Sequence, residues 1–482
     1  MEVSLMKAIR LQRFRAFEDS GWIEFKPITL LFGYNSAGKS TILQALLMLK
    51  QSIQNPATDV PFVFSSDKWV DLGAYQDVVY QHKIDHGKPM VISMKVDIPE
   101  HYLDLLEKNE TMTYKYKHNR NLINERHEDY TNEQQNEKLA TIEYSVEISY
   151  NQKQRFIDVI GFKIISHHSK NVLSMHKKSP GDNAKGSFTS DFIDIENYKM
   201  PLFWYNFLPL VKSDENLFVI SRITESIMER VQDTLNRLVN IGPVRAKPER
   251  SMLFSGEKPS NVGIKGEETF KLLYSDKFSD HSKHLDKKIN KWLHNYGYQF
   301  EWKMMQKSNR GEFVLNEIVD GKKIISANIV DVGFGISQVL PIAVQLYAME
   351  NNGLLLIEQP EIHLHSKAQA DLADLFIDAI QEGDKVILAE THSENLLLRL
   401  RRRIADGSMK HEDVGVYYVQ HHKGSSTVNY IDLNEYGDME NMPDEFKKFF
   451  QDDFNEIMLI HKEKSKKLAE MTSTEEKNNN GS

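Results

Sequence analysis

Two glycines and a lysine carry the first chemical signal. The run Gly33-Tyr34-Asn35-Ser36-Ala37-Gly38-Lys39-Ser40-Thr41 has glycine where a backbone must curl to aim successive N–H groups at phosphate oxygens. Lys39 is spaced to reach the outer phosphates of a nucleotide, and the Ser40 hydroxyl to ligate Mg2+. A second run, Leu354-Leu355-Leu356-Ile357-Glu358-Gln359-Pro360-Glu361, ends an apolar stretch in carboxylates. At the end of a buried strand beside the phosphate strand, Glu358 can hold Mg2+ through its water shell. The plainer reading is a core strand closing in a solvated acidic turn. In Asp331-Val332-Gly333-Phe334-Gly335-Ile336-Ser337-Gln338 two glycines lead into an expected Ser-capped helix. That is a second anion-binding terminus, or a simple turn with an N-cap. His392, in Ala389-Glu390-Thr391-His392-Ser393, follows another buried strand and taken alone reads equally well as structural.

The elements around these residues are the ones such chemistry requires. Ile28-Thr29-Leu30-Leu31-Phe32 reads as a buried strand, and Thr41 to Gln54 has helical spacing, so the glycine loop joins strand to helix. A helix from Ser337, a strand Leu354 to Ile357, a helix around Ala368 to Ile380 and a strand Val386 to Leu388 follow later. Between them, residues 96–309 change character. Charge dominates 103–140, strand-like stretches cover 142–150 and 156–166, and a polar loop covers 167–190. Glu225 to Val239 and Lys283 to Tyr296 look helical. A hairpin, Phe313 to Val319 and Lys323 to Val330 about Asp320-Gly321, is expected to re-enter the core. The expected division is thus 1–95, an α+β insertion 96–309, 310–440, and a C-terminal helix with a disordered tail, 441–482.

The chain has 482 residues, 40% hydrophobic and 27% charged, with a net charge of −9 and no cysteine. Disulfides and thiolate metal sites are excluded. A net-acidic chain is poorly suited to coating DNA, so any nucleic-acid contact must come from a local basic patch. With neither a long apolar run nor a basic, apolar leader, no membrane segment is expected and a cytoplasmic location is.

Together, in this order, the four motifs resemble the ABC-type ATPase heads of the SMC, RecF and OLD group, whose Walker A, signature, Walker B and switch histidine they match. Phe14-Arg15-Ala16-Phe17, Ile241-Gly242-Pro243-Val244-Arg245 and Val262-Gly263-Ile264-Lys265-Gly266-Glu267 are similar to segments of bacterial AAA family ATPases of this type. The resemblance implies an α/β P-loop ATPase head with a mixed sheet and an α+β insertion, using ATP and Mg2+. It implies two heads sandwiching two ATP molecules, with Gly335, Ser337 and Gln338 of one copy completing the loop site of the other. A homodimer or a larger even assembly would result. It also implies a setting: antiviral defence, as in Septu-like and PARIS-like ATPases, with ATP state controlling a separate effector, expected to be a nuclease. The rivals are a RecF-like DNA-repair ATPase and a non-hydrolysing scaffold that holds an effector silent.

Two departures from the family pattern matter, one in the signature, where Ser337 directly precedes Gln338 instead of leading a Ser-Gly-Gly-Gln run, and one in Walker B. Walker B here reads Glu358-Gln359, and Gln359 can orient a water but cannot accept its proton, so slow hydrolysis is expected. Glu361 is the candidate substitute base. Gln76 is the candidate for the Mg2+-sensing glutamine, the alternative being an ordinary surface residue. Arg399, Arg401, Arg402 and Arg403, with Arg245, Lys247 and Arg250, read as solvated or as DNA-contacting. His363 and His365 could share a face but carry no strong metal signal, and intrinsic nuclease activity is not expected.

Overall fold

The run Ile28–Phe32 has no exposed position, as a strand covered on both faces requires. In the computed structural model it lies in the middle of a seven-stranded sheet. The order is Val239–Ile241, Gly353–Glu358, Lys385–Glu390, Ile28–Phe32, Val414–His422, Ser425–Leu433 and Met439–Glu440. The first five strands are parallel and the last two are joined on by antiparallel pairings, so the sheet is mixed, as expected. Side chains alternate across it. Leu31, Leu354, Leu356 and Leu388 enter one core, and Leu30, Phe32, Leu355, Ile357 and Ile387 the other. The first core also holds the helices Lys39–Ile53 and Phe218–Arg237, and the second the helices Phe334–Ala348, Ser366–Gln381 and Glu394–Ala405. The described residues are 6–57, 60–84, 88–107, 138–151, 155–166, 171–176, 187–189, 202–211, 218–279, 283–305 and 309–448. No helix among them is long and apolar enough to cross a membrane.

An antiparallel sheet closes the first core. Its order is Phe17–Asp19, Met6–Phe14, Met90–Pro99, Leu139–Asn151, Phe156–Ser166, Asn171–His176 and Ser187–Thr189, with Ile23–Glu24 also on Met6–Phe14. Leu139–Asn151 alternates between buried and part-exposed positions, so one face is turned to the core. This arrangement bears on the expected division of the chain. A boundary between 95 and 96 falls inside the strand Met90–Pro99, which pairs with Met6–Phe14 on one side and Leu139–Asn151 on the other. Val239–Ile241, also within the expected insertion, edges the parallel sheet beside the strand of Glu358. A half-buried strand needs partners, and those of the middle region are the N-terminal strands. The hairpin about Asp320-Gly321 forms as Arg310–Val319 and Lys322–Asn328. Both turn residues have positive φ, 51° and 72°, which suits a two-residue hairpin. It joins Tyr298–Met304 and Met252–Leu253 in a separate four-stranded sheet instead of the parallel one. Residues 108–137, 177–186 and 449–482, which include most of the charged stretch and the expected tail, lie outside the described residues.

One buried cation ties the phosphate helix to the middle region. Lys50 is 3% exposed, and its Nζ donates to the carbonyls of Leu235 (2.8 Å), Asn236 (3.0 Å) and Leu238 (2.8 Å). These carbonyls end the helix Phe218–Arg237, where unpaired oxygens and the negative dipole end favour a cation. Burial pushes the Lys50 ammonium down to about 8. Its folded value lies below its unfolded one, so between the two the unfolded chain binds more protons and stability rises with pH. Relative to Lys50→Met, the wild type is expected to gain roughly 1–3 kcal/mol as pH rises from about 8 to about 10.5. Urea unfolding across that range checks it, and a pH-independent difference would contradict it.

Candidate nucleotide site

The loop after Ile28–Phe32 depends on glycine at two points. Gly33 has φ 145° and Gly38, at the N-terminus of the helix Lys39–Ile53, has φ 109°. A β-carbon on Gly33 would collide with the carbonyl oxygen of Val419 on the adjacent strand. Gly33→Ala is therefore expected to cost about 2–4 kcal/mol in stability and to spoil the loop, read as a lowered melting temperature and lost ATP binding. The helix beginning at Lys39 has neither a side-chain cap nor an acid in its first turn. Thr41 N–H bonds to the Gly38 carbonyl (3.2 Å), and the positive end of the helix is left for an anion. Lys39 is 3% exposed and folds back along the loop, its Nζ donating to the carbonyls of Gly33 (2.9 Å) and Tyr34 (3.0 Å). Burial lowers its pKa, with Glu390 opposing that shift. Asn35, Ser36, Gly38, Lys39, Ser40 and Thr41 line a cleft of about 590 Å3, while Ala37 is buried and Tyr34 exposed.

Acids line the cleft beside the loop. Glu358 and Glu390 end neighbouring parallel strands in register, and both line the cleft. Ser40 Oγ donates to Glu390 Oε2 at 2.7 Å, and Lys39 Nζ lies 3.7 Å from Glu390 Oε1. Burial first, and Glu390 second, raise the pKa of Glu358. Gln359 also lines the cleft; it has a left-handed backbone (φ 45°) and its N–H donates to the Glu390 carbonyl at 2.7 Å. Glu361 turns elsewhere. Its Oε2 accepts from Thr391 Oγ1 (2.8 Å) and its Oε1 from the His392 N–H (2.7 Å). It ties the turn after Glu358 to the segment Thr391-His392 and is not among the residues lining the cleft. Burial raises its pKa against the pull of those bonds and of Arg245. Arg245, 5% exposed, donates from Nη2 to the carbonyls of Glu358 (3.2 Å) and Gln359 (3.3 Å), and burial drops its pKa to about 10. His392 is also lowered, by burial and then by Lys39.

Residues 6–397 match the model of the AAA ATPase domain. The chain belongs to that family. Solved structures similar to this AAA ATPase domain include the Smc head bound to the C-winged helix domain of ScpA (10% identity, 89% of this chain and 98% of that one, TM-score 0.40). Another is the SMC head domain from Thermotoga maritima (9% identity, 89% and 99%, TM-score 0.35). Likeness at that level bears on neither partner nor activity. A comparison with curated proteins finds no match. Family membership, with the strand–loop–helix phosphate site, makes the chain an ATP-binding ATPase with an α/β P-loop fold.

Several expected site residues of the AAA ATPase domain lie away from the cleft. Gln76 is exposed, because the short helix Tyr75–Val78 buries Tyr75 and Val78 and leaves Gln76 outward. Gln81 and His82 line the cleft in its place, both with positive φ. Gly335, Ser337 and Gln338 open the helix Phe334–Ala348 and are not part of the cleft wall. Ser337 is not the N-cap. Gly333 precedes the helix, and the turn Ile329–Asp331 before it is capped by the Asn328 side chain. The fragments 241–245 and 262–267 prove to be partners: Gly242 N–H donates to Ile264 O (2.8 Å) and, one residue beyond the first fragment, Ala246 N–H to Lys265 O (2.7 Å), bracing the loop of Arg245. His365 caps the helix Ser366–Gln381 by accepting from the Ala368 N–H at 3.3 Å. The arginine run is largely neutralised. Arg399 and Arg403 share Asp374, Arg401 faces Asp438, and Arg250 pairs with Asp331. Sequence reasoning gave Glu390 and Gln81 no role and read Arg245 as solvated or DNA-contacting, whereas it is buried against the Glu358 and Gln359 carbonyls. Only Glu390 left a signal, as the last residue of a strand matching that of Glu358.

Proposed function

We propose that this ATPase hydrolyses slowly and works as an ATP-controlled switch or scaffold for a separate effector, with bacterial antiviral defence as its setting. The observation that carries the slow-switch reading is Gln359: it occupies the cleft position next to Glu358 and cannot accept a proton, while Glu361 is held by Thr391 and His392. Phosphoryl transfer tolerates such a site because positioning and charge stabilisation supply most of the catalysis. The loop N–H groups and Lys39 would bind the phosphates, and Gln359 would orient the attacking water. The donors fit a hard cation, since a hydroxyl and two carboxylates offer only oxygen. Among the described residues no cluster of three or more histidines or acids stands ready to hold a metal without a nucleotide. Ser40 and Glu358 would hold Mg2+, which would neutralise charge between the outer phosphates.

Two copies closing over two nucleotides, each lending Gly335, Ser337 and Gln338 to the other's loop, would make the switch. The effector and the defence setting rest on the likeness of the motif set to Septu-like and PARIS-like ATPases. The ion pairs within the arginine run weigh against DNA as the trigger. ATP turnover by the purified chain, with and without duplex DNA, tests the reading. Slow turnover indifferent to DNA is expected. A rate of tens per second, or strong stimulation by DNA, would overturn it in favour of a repair-type ATPase.

A further inference from the structure

One side chain engages both groups that a nucleotide's phosphates and metal would need. Glu390 ends the strand Lys385–Glu390, its side chain 8% exposed. A carboxylate buried to that degree must be paired. Its partners are the Ser40 hydroxyl at 2.7 Å and the Lys39 ammonium at 3.7 Å. Strand register sets Glu358 directly beside it, where burial and then the Glu390 charge disfavour ionisation of Glu358. Two such groups and a hydroxyl on one wall of a cleft suit a divalent cation. Neither Gln359, which is uncharged, nor Glu361, which is turned to the switch segment, offers a rival for that place.

We propose that Glu390 is a metal-facing carboxylate of the nucleotide site, which holds Lys39 and Ser40 before nucleotide binds and turns to the cation when Mg·ATP arrives. This rests on the ATP reading above. It gives Glu390 two opposite effects. Without a divalent cation its charge repels the triphosphate and competes with it for Lys39 and Ser40. With Mg2+ the same charge attracts the metal complex. A residue that only propped up the loop would change affinity in one direction under both conditions.

Calorimetric titration of ATP into the full chain, in Mg2+ and separately in EDTA, separates these cases. Glu390→Gln keeps the shape, and an oxygen to accept from Ser40, while removing the charge. In EDTA its ATP affinity is expected to rise, by up to about tenfold. The enhancement of affinity by Mg2+ is expected to fall by about 10–100-fold. Titration of Mn2+ into the ATP complex, followed by electron paramagnetic resonance, should show the same loss of metal affinity. If Glu390→Gln leaves both conditions unchanged, or weakens both equally, the inference fails while the ATP reading stands. If the wild type binds ATP under neither condition, both fail. Should Glu390→Gln lose its cooperative melt, Glu390→Asp, with its charge drawn back by one methylene, must still show a smaller Mg2+ enhancement; an undiminished one overturns the proposal.

Discussion

Lys39→Ala is expected to weaken ATP binding by at least about a hundredfold and to abolish measurable turnover. The size of the effect follows from where the ammonium lies. It is almost fully buried, bonded to the Gly33 and Tyr34 carbonyls and close to Glu390. Truncation removes the charge that meets the phosphates. It also strands two carbonyls and leaves the Glu390 carboxylate buried without its cation, which adds repulsion toward a triphosphate. A fall in stability of about 1–3 kcal/mol should accompany the lost binding. Titration with a fluorescent ATP analogue and a melting curve measure the two effects separately. ATP binding at wild-type affinity would show that the phosphates are held elsewhere, and the assignment of Gly33 to Thr41 would fall with it.

How much of this was readable before the structure depends on whether the signal was local. The phosphate loop was, because its chemistry lies within nine consecutive residues between a fully buried strand and a largely buried helix. The strand carrying Glu358 was readable for the same reason: a fully buried parallel strand is an apolar run that stops at its functional residue. The partnership of Glu390 with Ser40 spans 350 residues and exists only because three parallel strands lie side by side in register. Nothing in the local pattern around either residue encodes it. Glu361 is a related case. Its proximity in sequence to Glu358 suggested a shared task, yet the turn after Gln359 swings its carboxylate to Thr391 and His392. The expected boundary between 95 and 96 followed a change in composition, whereas strand pairing crosses it. The strand Leu139–Asn151 is part-exposed on one face only, and its buried face extends a sheet begun at residue 6.

Gln359→Glu is expected to raise the single-turnover rate of ATP hydrolysis by about 10²–10⁴-fold, the contribution ordinarily made by a positioned general base. The swap is nearly isosteric, and its backbone demand is already met, since Gln359 holds φ 45° and its N–H bonds to the Glu390 carbonyl. Glu358 and Glu390 beside it would disfavour the ionised form of the new carboxyl and raise its pKa. A base raised from the ordinary glutamate value toward neutrality is better matched to taking a proton from water. Crowding a third acid into the wall should weaken metal-free ATP binding, and a bound divalent cation should offset that. Single-turnover conditions with Mg·ATP are needed because release of ADP could otherwise mask the gain. A large rise would mean that the glutamine is a brake and that the bound, unhydrolysed state is the one the chain is built to hold. An unchanged rate would mean that proton acceptance does not limit hydrolysis, and that closure of a second copy over the nucleotide does.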